Sequence, residues 1–246
     1  MWKPLGPIKM KNYIIAASIC LTAGVTAFAT PMAPAYDTFG PLTGATFGGT
    51  GNPTDPVAIR NITDGANSIT LGLAAQQRYF NPPLTSANGT YFATTGQNNG
   101  LGSSAFQGAT WNFDFYFNAT GGDYTYKLSY GTDASALVTI DPAAVGDNGA
   151  TPNKGGQNSE NLLFPAFGNL SSSQLNTLAF DPNATGTYIF VLSAFDRSGD
   201  QVGSSDVINV SVRSVPDVSS TAGLLGLGLI GLGLVQFRRN RFASAK

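Results

Sequence analysis

The chain has 246 residues; 42% are hydrophobic, among them 16 Phe and 9 Tyr, and only 11% are charged, which excludes a chain disordered throughout and leaves apolar material for one large domain or two small ones. Histidine is absent and Cys20 is the single cysteine, which excludes Ser-His-Asp and Cys-His catalysis and ordinary zinc sites. The formal charge of -1 hides an asymmetry: between Thr30 and Ser214 thirteen acids stand against six basic residues, a balance of −7 that does not attract phosphate backbones and excludes a nucleic-acid partner.

At the amino terminus, Lys3, Lys9 and Lys11 precede an apolar run from Tyr13 to Val25 that ends in Ala27-Phe28-Ala29. A basic region, a short apolar core and an Ala-x-Ala end make a secretory signal helix over residues 1–29, with signal peptidase cutting after Ala29. Ala33-Pro34-Ala35 is the alternative cleavage site, less favourable for its internal proline, and Met10 is the alternative start to Met1. An uncleaved anchor is the alternative, against which stands the shortness of the apolar core. Cys20 leaves with the signal, so the mature part has neither disulfide nor thiol, as an oxidising compartment allows.

Residues 30–214 read as one all-β domain without an amphipathic helix. Strands are expected at Val57–Arg60, Ser68–Leu73 and Gly89–Ala93, and a long surface loop over Thr94–Gly108. From Trp111 to Asn118 the chain alternates strictly: Trp111, Phe113, Phe115 and Phe117 share one face, and Asn112, Asp114, Tyr116 and Asn118 the other, where Asp114 is expected to meet solvent. After Ala119-Thr120-Gly121-Gly122 a second alternating stretch, Asp123–Tyr130, is expected to fold back as a hairpin. Further strands are expected at Ala136–Ile140 and Leu175–Phe180, separated by a second loop over Asp141–Asn161. Gly186–Phe195 is apolar on both faces and belongs at the centre of a sheet, Asp196–Asp200 turns the chain, and Asp206–Val212 returns. This closing unit is similar to the last two strands of an immunoglobulin-like β-sandwich, which implies that fold and a tyrosine corner in which the Tyr188 hydroxyl bonds back to the backbone.

Residues 215–246 have a different character. Val215-Pro216-Asp217 is followed by the uncharged stretch Val218–Phe237, long enough for a transmembrane helix, and then by Arg238, Arg239 and Arg241, a basic stop that holds this end in the cytoplasm. The order of motif, Gly/Leu-rich apolar segment and arginines resembles the PEP-CTERM sorting signals of Gram-negative bacteria, in the variant that begins Val-Pro-Asp. The resemblance implies an exosortase as partner, cleavage near Val215-Pro216-Asp217, and transfer to the cell surface or an exopolysaccharide matrix after transient anchoring in the inner membrane. A permanent single-span anchor is the alternative.

Chemistry in the body is sparse. Glycoside hydrolysis needs two acids held across a sugar, but most of the aspartates sit in turn-like contexts where Asp bonds local backbone. No cofactor is expected, calcium being the one candidate: Asp196, Ser198, Asp200 and Asp206 offer hard oxygen ligands at short spacing. Asn112, Asp114 and Tyr116 are the candidate sugar contacts, hydrogen-bond partners beside a flat ring. The expected role is structural or adhesive and not enzymatic, with a carbohydrate-binding module of the extracellular polysaccharide as the alternative.

Overall fold

The computed structural model describes residues 29–47, 56–78, 83–99, 107–145, 155–164 and 180–214. Two sheets pack face to face. The first has the order β1 (Thr38–Gly40), β2 (Val57–Asp64), β3 (Asn67–Gln77), β8 (Trp111–Thr120), β11 (Gly155–Glu160), all antiparallel. The second has the order β10 (Val138–Ile140), β9 (Thr125–Gly131), β12 (Gly186–Phe195), β13 (Gln201–Arg213), β5 (Thr90–Thr94), β4 (Thr85–Ala87), antiparallel except where β13 runs parallel to β5. A two-stranded ribbon, β6 (Gln97–Asn99) with β7 (Gln107–Ala109), flanks them. The architecture is an all-β sandwich, and three of its four edge strands span only three residues, which limits unpaired backbone.

Alternation in β8 determines the core. Trp111, Phe113, Phe115 and Phe117 are all buried on the inner face. Phe113 stacks on Phe190 of β12 at 4.6 Å between ring centroids, and Phe117 stacks on Tyr126 of β9 at 4.1 Å. At the other end Trp111 meets Tyr188 at 5.5 Å and Phe190 edge-on at 6.2 Å. Such aromatic pairs add about 0.5–1.5 kcal/mol each beyond the area they bury. Tyr124, Tyr126, Leu128 and Tyr130 supply the facing surface and are buried with them.

β8 and β9 are not a hairpin. Each already has a partner on both edges, β3 and β11 for β8, β10 and β12 for β9, so the chain arches from one sheet to the other at Gly121 and Gly122. Both glycines have positive φ (83° and 71°), a backbone that side chains resist. A Gly-Gly turn signal serves an arch as well as a hairpin, and the long-range pairings decide between them.

The central strand at Gly186–Phe195 and the return strand lie where the apolar pattern puts them. The expected loops do not stay loops: Thr94–Gly108 contributes β6 and most of β7, and Asp141–Asn161 contributes a 3-10 turn (Pro142–Val145) and the whole of β11. The strand expected over Leu175–Phe180 falls outside the described residues except Phe180, whose ring packs on Trp111 and Tyr188. Tyr188 makes no hydroxyl bond to backbone among the described residues. Its ring belongs to the aromatic cluster.

The amino-terminal segment joins the two sheets. Thr30 bonds to the β9–β10 connection, the Met32 carbonyl accepts Asn209 Nδ2 at 3.0 Å, and Ala35 exchanges both backbone bonds with Val207 of β13. Asp37 N then donates to Ile59 O, and β1 joins the other sheet. This strap crosses the outer face of the second sheet, where Ile189 and Val207 are buried although they point away from the core.

Truncating Phe113 to Ala removes a fully buried ring from the centre of the seam and is expected to lower stability by about 3–5 kcal/mol in urea unfolding. Asn118→Ala, at the exposed outer end of the same strand, is expected to change it by less than about 0.5 kcal/mol.

Candidate functional site

The outer face of β8 carries the three candidate sugar contacts in one row, extended across the sheet by register: Gln76 lies beside Asn112, Ala74 and Ser159 flank Asp114, and Gly72 and Gln157 flank Tyr116. The row is not an open platform. Asp114 is only 1% exposed, contrary to the expectation that it meets solvent, and Asn112 and Tyr116 are half-buried. Two segments cover it. Gln157 Oε1 accepts the backbone amides of Thr46 (2.6 Å) and Phe47 (3.0 Å), which lays residues 42–47 over the Tyr116 end. Gly72 makes room for this cover, since a Cβ there would stand 2.7 Å from the Leu42 side chain. Burial pushes the Tyr116 hydroxyl pKa above its ordinary value.

At the other end, Asn161 is fully buried and acts as a clamp. Its Nδ2 donates to the Trp111 carbonyl and to Asn112 Oδ1, both at 2.8 Å, while its Oδ1 accepts the amides of Ala109 (2.9 Å) and Leu163 (3.1 Å). Ser159 Oγ accepts Gln76 Nε2 at 2.7 Å and Asn112 Nδ2 at 3.1 Å. Arg78 lies over Gly108, where any Cβ would strike the guanidinium, and its Cζ sits 4.8 Å from the centre of the Phe164 ring. Asn112 thus spends its amide inside the protein.

Two acids face the core. Glu160, on the inner side of β11 beside Phe113, accepts Asn158 Nδ2 at 2.7 Å, and burial pushes its pKa up to about 8. Asp206 pairs with Leu192 on the inner side of β13 and is fully buried. Neither of its oxygens accepts a hydrogen bond of ordinary geometry. Burial holds its pKa well above the usual carboxylate range, against the pull of the Arg60 guanidinium and the amides of Val207 and Leu73. Arg60 is itself paired with Asp37, whose other oxygen accepts the amide of Asn61 at 2.7 Å.

This placement separates the candidate calcium ligands. Asp196 Oδ1 accepts the amides of Ser198 (2.8 Å) and Asp200 (2.9 Å), closing the β12–β13 turn on itself, with Gly199 at φ 88°. Asp206 lies up the strand and points inward, away from that turn. Among the described residues no group of three or more acidic, His or Cys side chains converges as a metal site. A shallow depression of about 420 Å³ beside the turn is lined by Asp123, Tyr124, Thr125 and residues 196–199. Tyr124, one of these residues, donates its hydroxyl to Asp64 Oδ2 at 2.7 Å.

Sequence reasoning missed Glu160 because Gly155–Glu160 contains no apolar residue to mark a strand. The inward turn of Asp206 was legible in its parity with Val210 and Val212.

The described chain ends at Ser214, one residue beyond β13, with Ala29 exposed at its start. Ala27, Val215, Pro216, Asp217, Arg238, Arg239 and Arg241 lie outside the described residues, as do the expected signal and transmembrane helices; no helix among the described residues is long and apolar enough to cross a membrane. The segment that follows β13 is a protein-sorting signal of the PEP-CTERM-like, exosortase-read class. Specifically, residues 214–239 match the VPDSG-CTERM motif, and here Val215-Pro216-Asp217 is followed by Val218-Ser219. No curated protein sequence and no solved structure matches the chain.

Asn161→Ala leaves several buried backbone groups without partners and is expected to cost about 2–4 kcal/mol in urea unfolding. Glu160 binds its proton more tightly folded than unfolded, so its contribution is fully present below about pH 4.5 and is lost as pH rises through about 8. Stability is therefore expected to fall with pH across that range, with Asp206 acting in the same direction. Glu160→Gln is expected to flatten the upper part of the curve in denaturant titrations at stepped pH; an unchanged slope contradicts the assignment.

Proposed function

We propose that this chain is an exported protein whose sandwich serves a structural or adhesive, non-enzymatic role on the cell surface or in its polysaccharide matrix. The VPDSG-CTERM match directly after the last strand carries the reading, because a sorting signal of this class suggests processing by an exosortase at the cell surface. In the precursor, residues 218–237 hold the chain in the inner membrane with Arg238, Arg239 and Arg241 on the cytoplasmic side, and signal peptidase removes residues 1–29. The sandwich is immunoglobulin-like in the proposed reading: β8 crosses to β9 in the other sheet, and β9 lies beside the closing hairpin β12–β13, the neighbour relations of such a fold.

Support for a non-enzymatic role comes from how the body uses its polar groups. Asn112, Asp114 and Tyr116 are drawn into a covered row, and Asp196 closes its own turn. These are commitments to the fold. They favour a module that holds its shape over one that opens a cleft to a sugar.

The test is intact mass and cell fractionation of the native protein beside a variant with Val215, Pro216 and Asp217 all changed to Ala. The wild type is expected outside the inner membrane without its carboxy-terminal segment, and the variant in the inner membrane with Arg238–Lys246 retained. Retention of that segment by both proteins in the membrane identifies a plain anchor and refutes the sorting reading.

A further inference from the structure

We propose that the amino group freed when the signal sequence is cut after Ala29 docks on Asp133 as a charged pair, so that maturation locks the amino-terminal strap onto the sandwich. The proposal rests on the reading of residues 1–29 as a cleaved signal, and it assigns a destination to the new terminus.

The receptor is already built. Asp133, between β9 and β10, has its Oδ1 fixed by the amide and hydroxyl of Ser135, at 2.9 and 2.8 Å. The same oxygen lies 3.2 Å from Thr30 N, and the Thr30 carbonyl accepts Ala134 N at 3.0 Å, so Thr30 is held from both sides. In the precursor Thr30 N is a neutral amide with one hydrogen. After cleavage it becomes an ammonium with three, one of which retains the existing contact, and a bond from a neutral amide to the carboxylate becomes one between two opposite charges. The ordinary pull of the Ser135 donors keeps the Asp133 carboxyl below the usual carboxylate range and hence ionised at neutral pH. No other charged side chain among the described residues pairs with it.

The strap also discriminates between the two cleavage sites. A cut after Ala35 would discard Met32, whose carbonyl binds Asn209, and Ala35, which bridges Val207. It would also remove Pro34, which packs so closely over Gly89 that a Cβ there would stand 2.7 Å away. A cut after Ala29 keeps every one of these contacts and ends the chain at the residue that meets Asp133.

The test uses mature protein purified from cells that export it. Mass spectrometry defines the first residue, and pH-dependent isotopic methylation reports the α-amine, which titrates well below the lysine amines. The expected result is a chain beginning at Thr30 whose α-amine titrates roughly half a pH unit above the ordinary 7.7–8.0, returning to that range in Asp133→Asn and in urea. Should Asp133→Asn not fold, the comparison of native with urea-unfolded wild type decides. A Thr30 terminus that titrates alike in all states overturns the pairing. A chain beginning at Tyr36, or one retaining the signal, overturns it by removing its premise, while the surface location scored by fractionation stands or falls separately.

Discussion

The row of rings along one face of β8 is the constraint on which the rest of the sandwich depends. Trp111, Phe113, Phe115 and Phe117 stand at every second residue, so a single strand supplies a continuous apolar seam to one side of its sheet. A shift by one residue would turn all four outward and bring Asn112, Asp114 and Tyr116 into the core. Register is therefore fixed at β8, and its neighbours β3 and β11 inherit it. On the opposing sheet the seam selects β9 and β12, which present Tyr126 and Phe190 to it.

The same alternation creates the second feature of the body, a polar row on the far side of β8. Such a row in a strand flanked on both edges ends in solvent or beneath other chain. Here it lies beneath residues 42–47 at one end and beneath Asn161, Phe164 and Arg78 at the other. Every donor spent on that cover is one not offered to a ligand. Buried acids follow the same economy: Glu160 and Asp206 face the core where burial favours their protonated forms, so the fold tolerates them as polar but uncharged groups.

What the sequence makes legible divides along physical lines. Strands with strong apolar content, such as Trp111–Asn118, Gly186–Phe195 and Asp206–Val212, could be drawn from periodicity because burial decides them locally. β11 could not, since Gly-Gly-Gln-Asn-Ser-Glu has neither β-branched nor aromatic residues and becomes a strand only because β8 offers a free edge. The arch at Gly121-Gly122 is likewise set by partners far away in the chain. The polar row was located correctly as a set of residues, but its cover was not, because Gln157 bonding to Thr46 and Phe47 joins segments some 110 positions apart. The sorting segment was legible without any fold, since motif, apolar stretch and arginines act in order along the chain.

Destination and architecture are thus carried by different parts of the molecule: the sorting signal at residues 214–239 holds the address, and the sandwich holds a shape. The most direct test transplants the address. Residues 1–29 and 214–246 are fused to the two ends of an unrelated secreted reporter, and the reporter is located in the cells from which this protein comes. The account predicts reporter at the cell surface with its carboxy-terminal segment removed. Reporter left full-length in the inner membrane, while the native protein is processed beside it, would contradict the account and place the sorting information in the sandwich itself.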